Sequence, residues 1–216
     1  MQVLLGENIK MSKYIDLSYR LENELYTHPY DDKMKLYKNR FLDTHRYNDT
    51  RLEMSMHVGT HIDVVSHLTD QEIYISDYPL EKFMARGCLL DVRNESVITM
   101  KNEYLDKVNE GDIVLLYTGY DAYFGMSSYF DNHPSVEKEL AQFFVERKIK
   151  LLGIDMPSPD HYPFEIHKIL LEKDILIIEN MRNMQSLKGL KEFEVIAVPL
   201  SIRAEAAPAR VIAKLN

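Results

Sequence analysis

Regular patterning begins at Tyr14–Leu17, where apolar and polar side chains alternate as on a strand with one covered face. A cleaner alternation runs from Arg51 to His57. Leu52, Met54 and Met56 fall on one side, with Arg51, Glu53, Ser55 and His57 on the other. Five more runs are apolar without alternation: Gly87–Val92, Asp112–Tyr117, Lys150–Ile154, Ile175–Ile178 and Val195–Ile202. Such runs predict strands covered on both faces. Two helices stand out between them. Ser135 can cap a helix whose Val136, Leu140, Phe143 and Phe144 keep the i, i+4, i+7, i+8 spacing. Phe164–Lys173 places Ile166, Ile169 and Leu170 on one stripe. The Lys150–Ile154 strand follows the first helix and the Ile175–Ile178 strand follows the second. That rhythm predicts an α/β fold with strands in excess. No repeat, low-complexity tract or Pro/Gly/Ser linker is visible, so one domain spanning 1–216 is the expectation.

Composition narrows the partners. Hydrophobic residues make up 45% of the chain, enough for a globular core. The net charge of -8 argues against nucleic acid and against anionic membrane surfaces, both of which need clustered cations. A small-molecule substrate is the partner expected. The single cysteine, Cys88, forbids an intrachain disulfide, and its neighbours Leu89 and Leu90 suggest a buried small hydrophobe. Met1–Lys10 lacks the basic start and apolar run of a secretion signal. No apolar stretch approaches the ~18 residues needed to cross a bilayer. A reducing compartment, the cytoplasm, is expected.

The chemistry concentrates in His57-Val58-Gly59-Thr60-His61-Ile62-Asp63-Val64-Val65-Ser66-His67. On a strand, His61 and Asp63 share a face and lie ~7 Å apart, close enough for one ion. His57 would sit ~13 Å from His61 along a straight strand, so the chain has to bend between them. Gly59 is placed for that bend, because glycine accepts backbone angles other residues avoid. A helix would bring His57 to His61 but swing Asp63 off their face. The spacing therefore predicts a strand ending near His57, a turn at Gly59-Thr60, and an extended piece through Asp63. Two imidazoles and a carboxylate suit a divalent metal, zinc or manganese. Such a site activates water near neutral pH. His67 is a further ligand or an unligated proton shuttle. A purely structural role would set three polar rings beside Val58, Ile62, Val64 and Val65 for no gain.

A second constellation is weaker. His161 and His167 flank the start of the second helix, Glu179 closes the Ile175–Ile178 run, and Asp155 and Asp160 lie nearby. A carboxylate at a strand end is a frequent active-site placement, although a charged strand end is normally a solvated one.

The His57–His67 segment resembles the signature of the cyclase family of metal-dependent hydrolases, which includes bacterial kynurenine formamidases and isatin hydrolases. Ile15-Asp16-Leu17-Ser18, Gly111–Gly119, Gly153-Ile154-Asp155-Met156-Pro157-Ser158, the pair His167 and Glu179, and Pro208 with Arg210 are similar to that family in order and spacing. The resemblance implies a swivelling β/β/α fold and a homodimer or higher oligomer. It implies one ion held by His57, His61 and Asp63, with Asp63 bridging to a second held by His167 and Glu179. It implies His67 as general acid/base in hydrolysis of an aryl formamide such as N-formylkynurenine. The alternatives are a cyclic amide of the isatin kind or a lactone, and a metal-binding protein without turnover. That last reading gives His67 no task. Two departures stand out. Val65 replaces the family's usual proline, and the segment Leu25–Asp31 lacks the family's tryptophan. Tyr26 and His28 in that segment are the candidates for substrate contact.

Overall fold

Residues 13–215 are described by a computed structural model, and the expectation for Met1–Lys10 lies outside them. In chain order the strands are β1 (Tyr14–Asp16), β2 (Lys35–Arg40), β3 (Asp49–Glu53), β4 (His61–Asp63), β5 (Met84–Asp91), β6 (Val97–Ile98), β7 (Ile113–Tyr117), β8 (Ser135–Val136), β9 (Leu151–Ile154), β10 (Leu176–Glu179), β11 (Phe193–Pro199) and β12 (Ala206–Leu215). The α-helices are α1 (Leu42–His45), α2 (Tyr104–Lys107), α3 (Lys138–Glu146) and α4 (Glu165–Leu171). No helix among the described residues is long and apolar enough to cross a membrane.

Seven strands close on themselves in the order β12, β11, β5, β7, β9, β10, β4, and β4 pairs with β12 again. Closure removes the free edges that an open sheet would expose within the ring. β5, β7, β9 and β10 run parallel, while β4, β11 and β12 join the ring by antiparallel pairing. β1 adds to the outer part of β12.

The solidly apolar runs of β5, β7, β9 and β10 are covered on both faces, as their composition predicts, whereas Val195–Ile202 is not: Val198, Leu200 and Ile202 are exposed. Ile113, Leu115 and Tyr117 of β7 join one core cluster with Leu151, Leu176, Ile178, Val195 and Val211. Val114 and Leu116 point the other way, into a cluster with Leu140, Phe144, Ile166 and Leu170 from α3 and α4. The first cluster fills the barrel, and the second lies between its parallel strands and the helices. This is a strand-rich α/β architecture, and Cys88 is buried in the helix-side layer.

Three local expectations need correction, and one strand was not foreseen. The Arg51–His57 strand stops at Glu53. It pairs with β2 in a hairpin whose strands bury no side chain, so its alternation faces no core and the chain leaves the ladder before His57. Ser135 does not cap α3. Ser135 and Val136 form β8 beside β6, and their backbone N–H groups donate to Ser96 and Pro159. The helix begins after Glu137. The apolar run Val195–Ile202 leaves the sheet at Pro199. Finally, β12 is a long strand, although its run of alanines carries little strand propensity.

Gly153 of β9 sits where the interior leaves no room for a side chain. A Cβ there would lie 2.6 Å from Leu115 Cδ2 and 2.6 Å from Met181 Sδ, both on fully buried side chains. Gly153→Ala is expected to destabilise the protein by about 1–3 kcal/mol through overpacking. The check is a lowered midpoint in urea with an unchanged slope, and an unchanged midpoint would refute the tight fit.

Candidate functional site

The turn ahead of β4 is built by two residues. Gly59 has φ +69°, a left-handed conformation that side-chain-bearing residues rarely adopt. Thr60 is buried. Its hydroxyl donates to the Asn180 carbonyl at 2.6 Å and accepts the Tyr19 N–H at 2.9 Å, which pins the turn to the end of β10. The bend predicted at Gly59 is therefore present, and it returns His57 to within 3.1 Å of Asp63.

Strand alternation then sorts the motif. Ile62 and Val64 enter the barrel core, so His61 and Asp63 face outward. On the neighbouring strand Leu176 and Ile178 also enter the barrel, and Glu179 stands directly opposite His61. The outward face here is roofed by α4, which contributes His167. His61, Asp63, His167 and Glu179 are all nearly inaccessible to solvent.

Two donor groups result, and they share one carboxylate. Ligand atoms of His57, His61 and Asp63 all lie within 4.8 Å of one another, as do those of Asp63, His167 and Glu179. His57 Nδ1 is 3.1 Å and His61 Nε2 is 3.4 Å from Asp63 Oδ1. His61 Nε2 is 3.4 Å from Glu179 Oε2, and His167 Nε2 is 3.1 Å from Glu179 Oε1. Despite this crowding, His61 Nε2 and both carboxylate oxygens of Asp63 are buried with no well-formed hydrogen bond among the described residues. Orphaned buried acceptors of this kind carry a desolvation penalty that a cation at their centre would remove. Imidazole nitrogens and carboxylate oxygens are the donor set of a divalent transition ion, and the residues present fit one.

The outer ring nitrogens of His61 and His167 are occupied, so their inner nitrogens face the carboxylates. His61 donates from Nδ1 to the Gly59 carbonyl at 2.9 Å, and His167 donates from Nδ1 to Asp160 Oδ1 at 2.5 Å. Asp160 is itself held by the Ile166 N–H at 2.6 Å. An acceptor behind a ligating imidazole fixes its tautomer and its orientation. The sequence flagged Asp160 only as a neighbour, and no spacing rule assigns it this task.

Charge in the site is balanced by protons on the imidazoles. Burial lowers the pKa of His57, but Asp63, Glu179 and Glu205 outweigh it and push the ring up to about 9. Burial likewise opposes protonation of His167, yet Asp160 and Glu179 push it up to about 10. The Asp63 carboxyl would be raised by burial but is held below the usual range by His57 and His61. The protons thus compensate the same two carboxylates that a cation would, so ion binding here is expected to release them.

His67 belongs to neither donor group. Val65–His67 forms a single 3₁₀ turn that sets its ring 4.4 Å from that of His57 and 6.2 Å from that of His167, measured between centroids. Burial and the neighbouring His57 hold its pKa below the usual imidazole value, against the pull of Asp63. All of this opens into a cavity of about 420 Å³ lined by seven of the eight histidines, every one except His45.

The substrate-side candidates divide. His28 lines the cavity with Phe130, Tyr162 and Phe164. Tyr26 is absent from the lining and stacks behind Phe130 at 5.4 Å. His161 also reaches the cavity, stacked on His133 at 4.0 Å. Asp155 does not. It accepts from Thr118 N, Thr118 Oγ1 and Gly119 N, fastening the turn after β7, and burial pushes its carboxyl up to about 6. Phe130 and His133 carried no pattern in the sequence that would have placed them here.

Known proteins resemble this chain along nearly its whole length. The chain is 28% identical over 210 residues to a kynurenine formamidase of Bacillus cereus, covering 94% of this chain and 98% of that protein. It is 29% identical over 213 residues to a kynurenine formamidase of Bacillus mycoides, with the same coverage. Among solved structures, isatin hydrolase A from Labrenzia aggregata superposes with a TM-score of 0.81 at 20% identity, covering 94% of this chain and 93% of that one. A predicted metal-dependent hydrolase from Bacillus stearothermophilus gives 0.71 at 23% identity, with 93% and 97% covered. The model of the putative cyclase family matches residues 15–161, more than half of the chain, and this protein therefore belongs to that family.

Proposed function

We propose that this protein is a metal-dependent hydrolase of carbon–nitrogen bonds other than peptide bonds, acting on an aryl formamide such as N-formylkynurenine. The observation that carries the proposal is the shared carboxylate. Two donor groups meet at Asp63 beneath a cavity, and an imidazole that belongs to neither stands beside them. The similarity to kynurenine formamidases along nearly the whole chain supports the reaction class.

In this reading His57, His61 and Asp63 hold one divalent ion, zinc or manganese, and Asp63, His167 and Glu179 hold a second where two are bound. When bound, such an ion lowers the pKa of water to about 7 and offsets the charge that develops on a carbonyl oxygen. His67, neutral near pH 7 given its lowered pKa, accepts the proton that the attacking water loses. The water oxygen bonds to the formyl carbon, the carbon–nitrogen bond breaks, and His67 returns the proton to the departing aryl nitrogen. The products are formate and an arylamine. Phe130, His28, Tyr162 and Phe164 supply flat walls for an aryl ring, and Tyr26 acts by buttressing Phe130. The cavity volume lies within the range of about 300–1,000 Å³ usual for small-molecule sites. A metal-binding protein without turnover would have no use for His67. The proposal includes a single domain over 1–216, a cytoplasmic location, and a homodimer or higher oligomer, the last on family resemblance.

Three measurements test it. A panel of N-formylkynurenine, simple aryl formamides, isatin and a lactone should show highest kcat/KM on an aryl formamide, and preference for isatin or the lactone would reassign the substrate. His61→Ala and Asp63→Ala should each lose the ion by elemental analysis. His67→Ala should keep it while turnover falls about 10²–10⁴-fold. Full activity in that variant would remove the shuttle role. Asp160→Ala is expected to weaken ion affinity about 10–100-fold by freeing His167 to rotate, read by competition with a chelator. Unchanged affinity would argue that α4 alone positions the ring.

A further inference from the structure

His61 and His167 each give their outer ring nitrogen to an acceptor fixed within their own segment, Gly59 or Asp160. His57 differs. It sits in the loop between β3 and β4, is the least buried of the three rings, and has no backbone acceptor for its ring among the described residues. Rotation about the bond to an imidazole is soft and nearly two-fold, so such a ring needs an outside partner to present one nitrogen consistently. Its Nδ1 faces Asp63 at 3.1 Å, and its Nε2 faces Glu205 Oε1 at 3.4 Å.

Glu205 comes from the far end of the chain, yet its backbone is tied to the motif. Its carbonyl accepts the Val64 N–H at 3.1 Å, and the next residue, Ala206, pairs with Asp63 across β12 and β4. The strand pairing that closes the barrel thus sets Glu205 behind His57. A carboxylate oxygen only accepts, so Glu205 favours a proton on Nε2 and leaves Nδ1, which faces Asp63, as the nitrogen that would give up its proton to a cation. We propose that Glu205 is a positioning residue that holds His57 as an Nδ1 ligand, the counterpart for the first ion of what Asp160 does for the second. This rests on the reading of His57, His61 and Asp63 as metal ligands. The Glu205 side chain is 42% exposed, so its removal takes little from the core.

The test is titration of the metal-stripped full chain with zinc and, separately, manganese, in the wild type, Glu205→Ala and Glu205→Gln. Glu205→Ala is expected to bind one ion about 10–100-fold more weakly. Glu205→Gln should recover most of the affinity, because its amide oxygen accepts the same N–H. Metal-free melting temperatures should agree among the three. Equal affinity in Glu205→Ala and the wild type would overturn the role. So would Glu205→Gln binding as weakly as Glu205→Ala, or a loss of affinity matched by a lower metal-free melting temperature. A wild type that binds neither ion would instead sink the metal-site reading itself.

Discussion

The site rests on one buried carboxylate. Among the described residues Asp63, 1% exposed, has no well-formed hydrogen bond to either oxygen and is the only residue common to the two donor groups. A carboxylate in that position is stable only when positive charge is gathered round it. The surrounding architecture can be understood as the means of gathering it: His57 returned by a glycine bend, His61 two residues away on the same face, and His167 lowered onto the sheet by a helix.

Barrel closure enforces this arrangement. β4 has three residues, yet it pairs on one side with β10 and on the other with β12. Its register is therefore specified twice. A slip of one residue would turn His61 and Asp63 into the apolar interior and Ile62 out to the helix side, at the cost of burying unpaired polar groups among Leu176, Ile178 and Val211. The same register sets Glu179 opposite His61 and brings Glu205 behind His57.

Division of labour among the histidines follows from what lies behind each ring. His61 and His167 are backed by fixed acceptors and point their inner nitrogens at the carboxylates. His67 has no such acceptor among the described residues, lines the cavity, and has its charged form disfavoured by burial. Rings with similar intrinsic basicity are thereby separated into those suited to hold a cation and one suited to exchange a proton. His133 and His161, stacked on each other in the cavity wall, belong to neither class.

The sequence by itself determined the heart of the site and most of the sheet. His57, Gly59, His61 and Asp63 lie within seven residues, so the two-residue period of a strand and the freedom of one glycine suffice to predict their meeting. The parallel strands were readable because burial on both faces leaves a solid apolar signature. Alternation misled at Arg51–His57, where the hairpin faces no core. It was silent for the alanine-rich β12, whose interior positions are small because the barrel leaves little room there. Only the tertiary structure decided that Glu179 is buried rather than solvated, that Asp160 stands behind His167, that Tyr26 lies behind Phe130, and that Glu205 reaches His57. Those meetings depend on strand pairing and helix docking between distant segments, and no local periodicity carries that information.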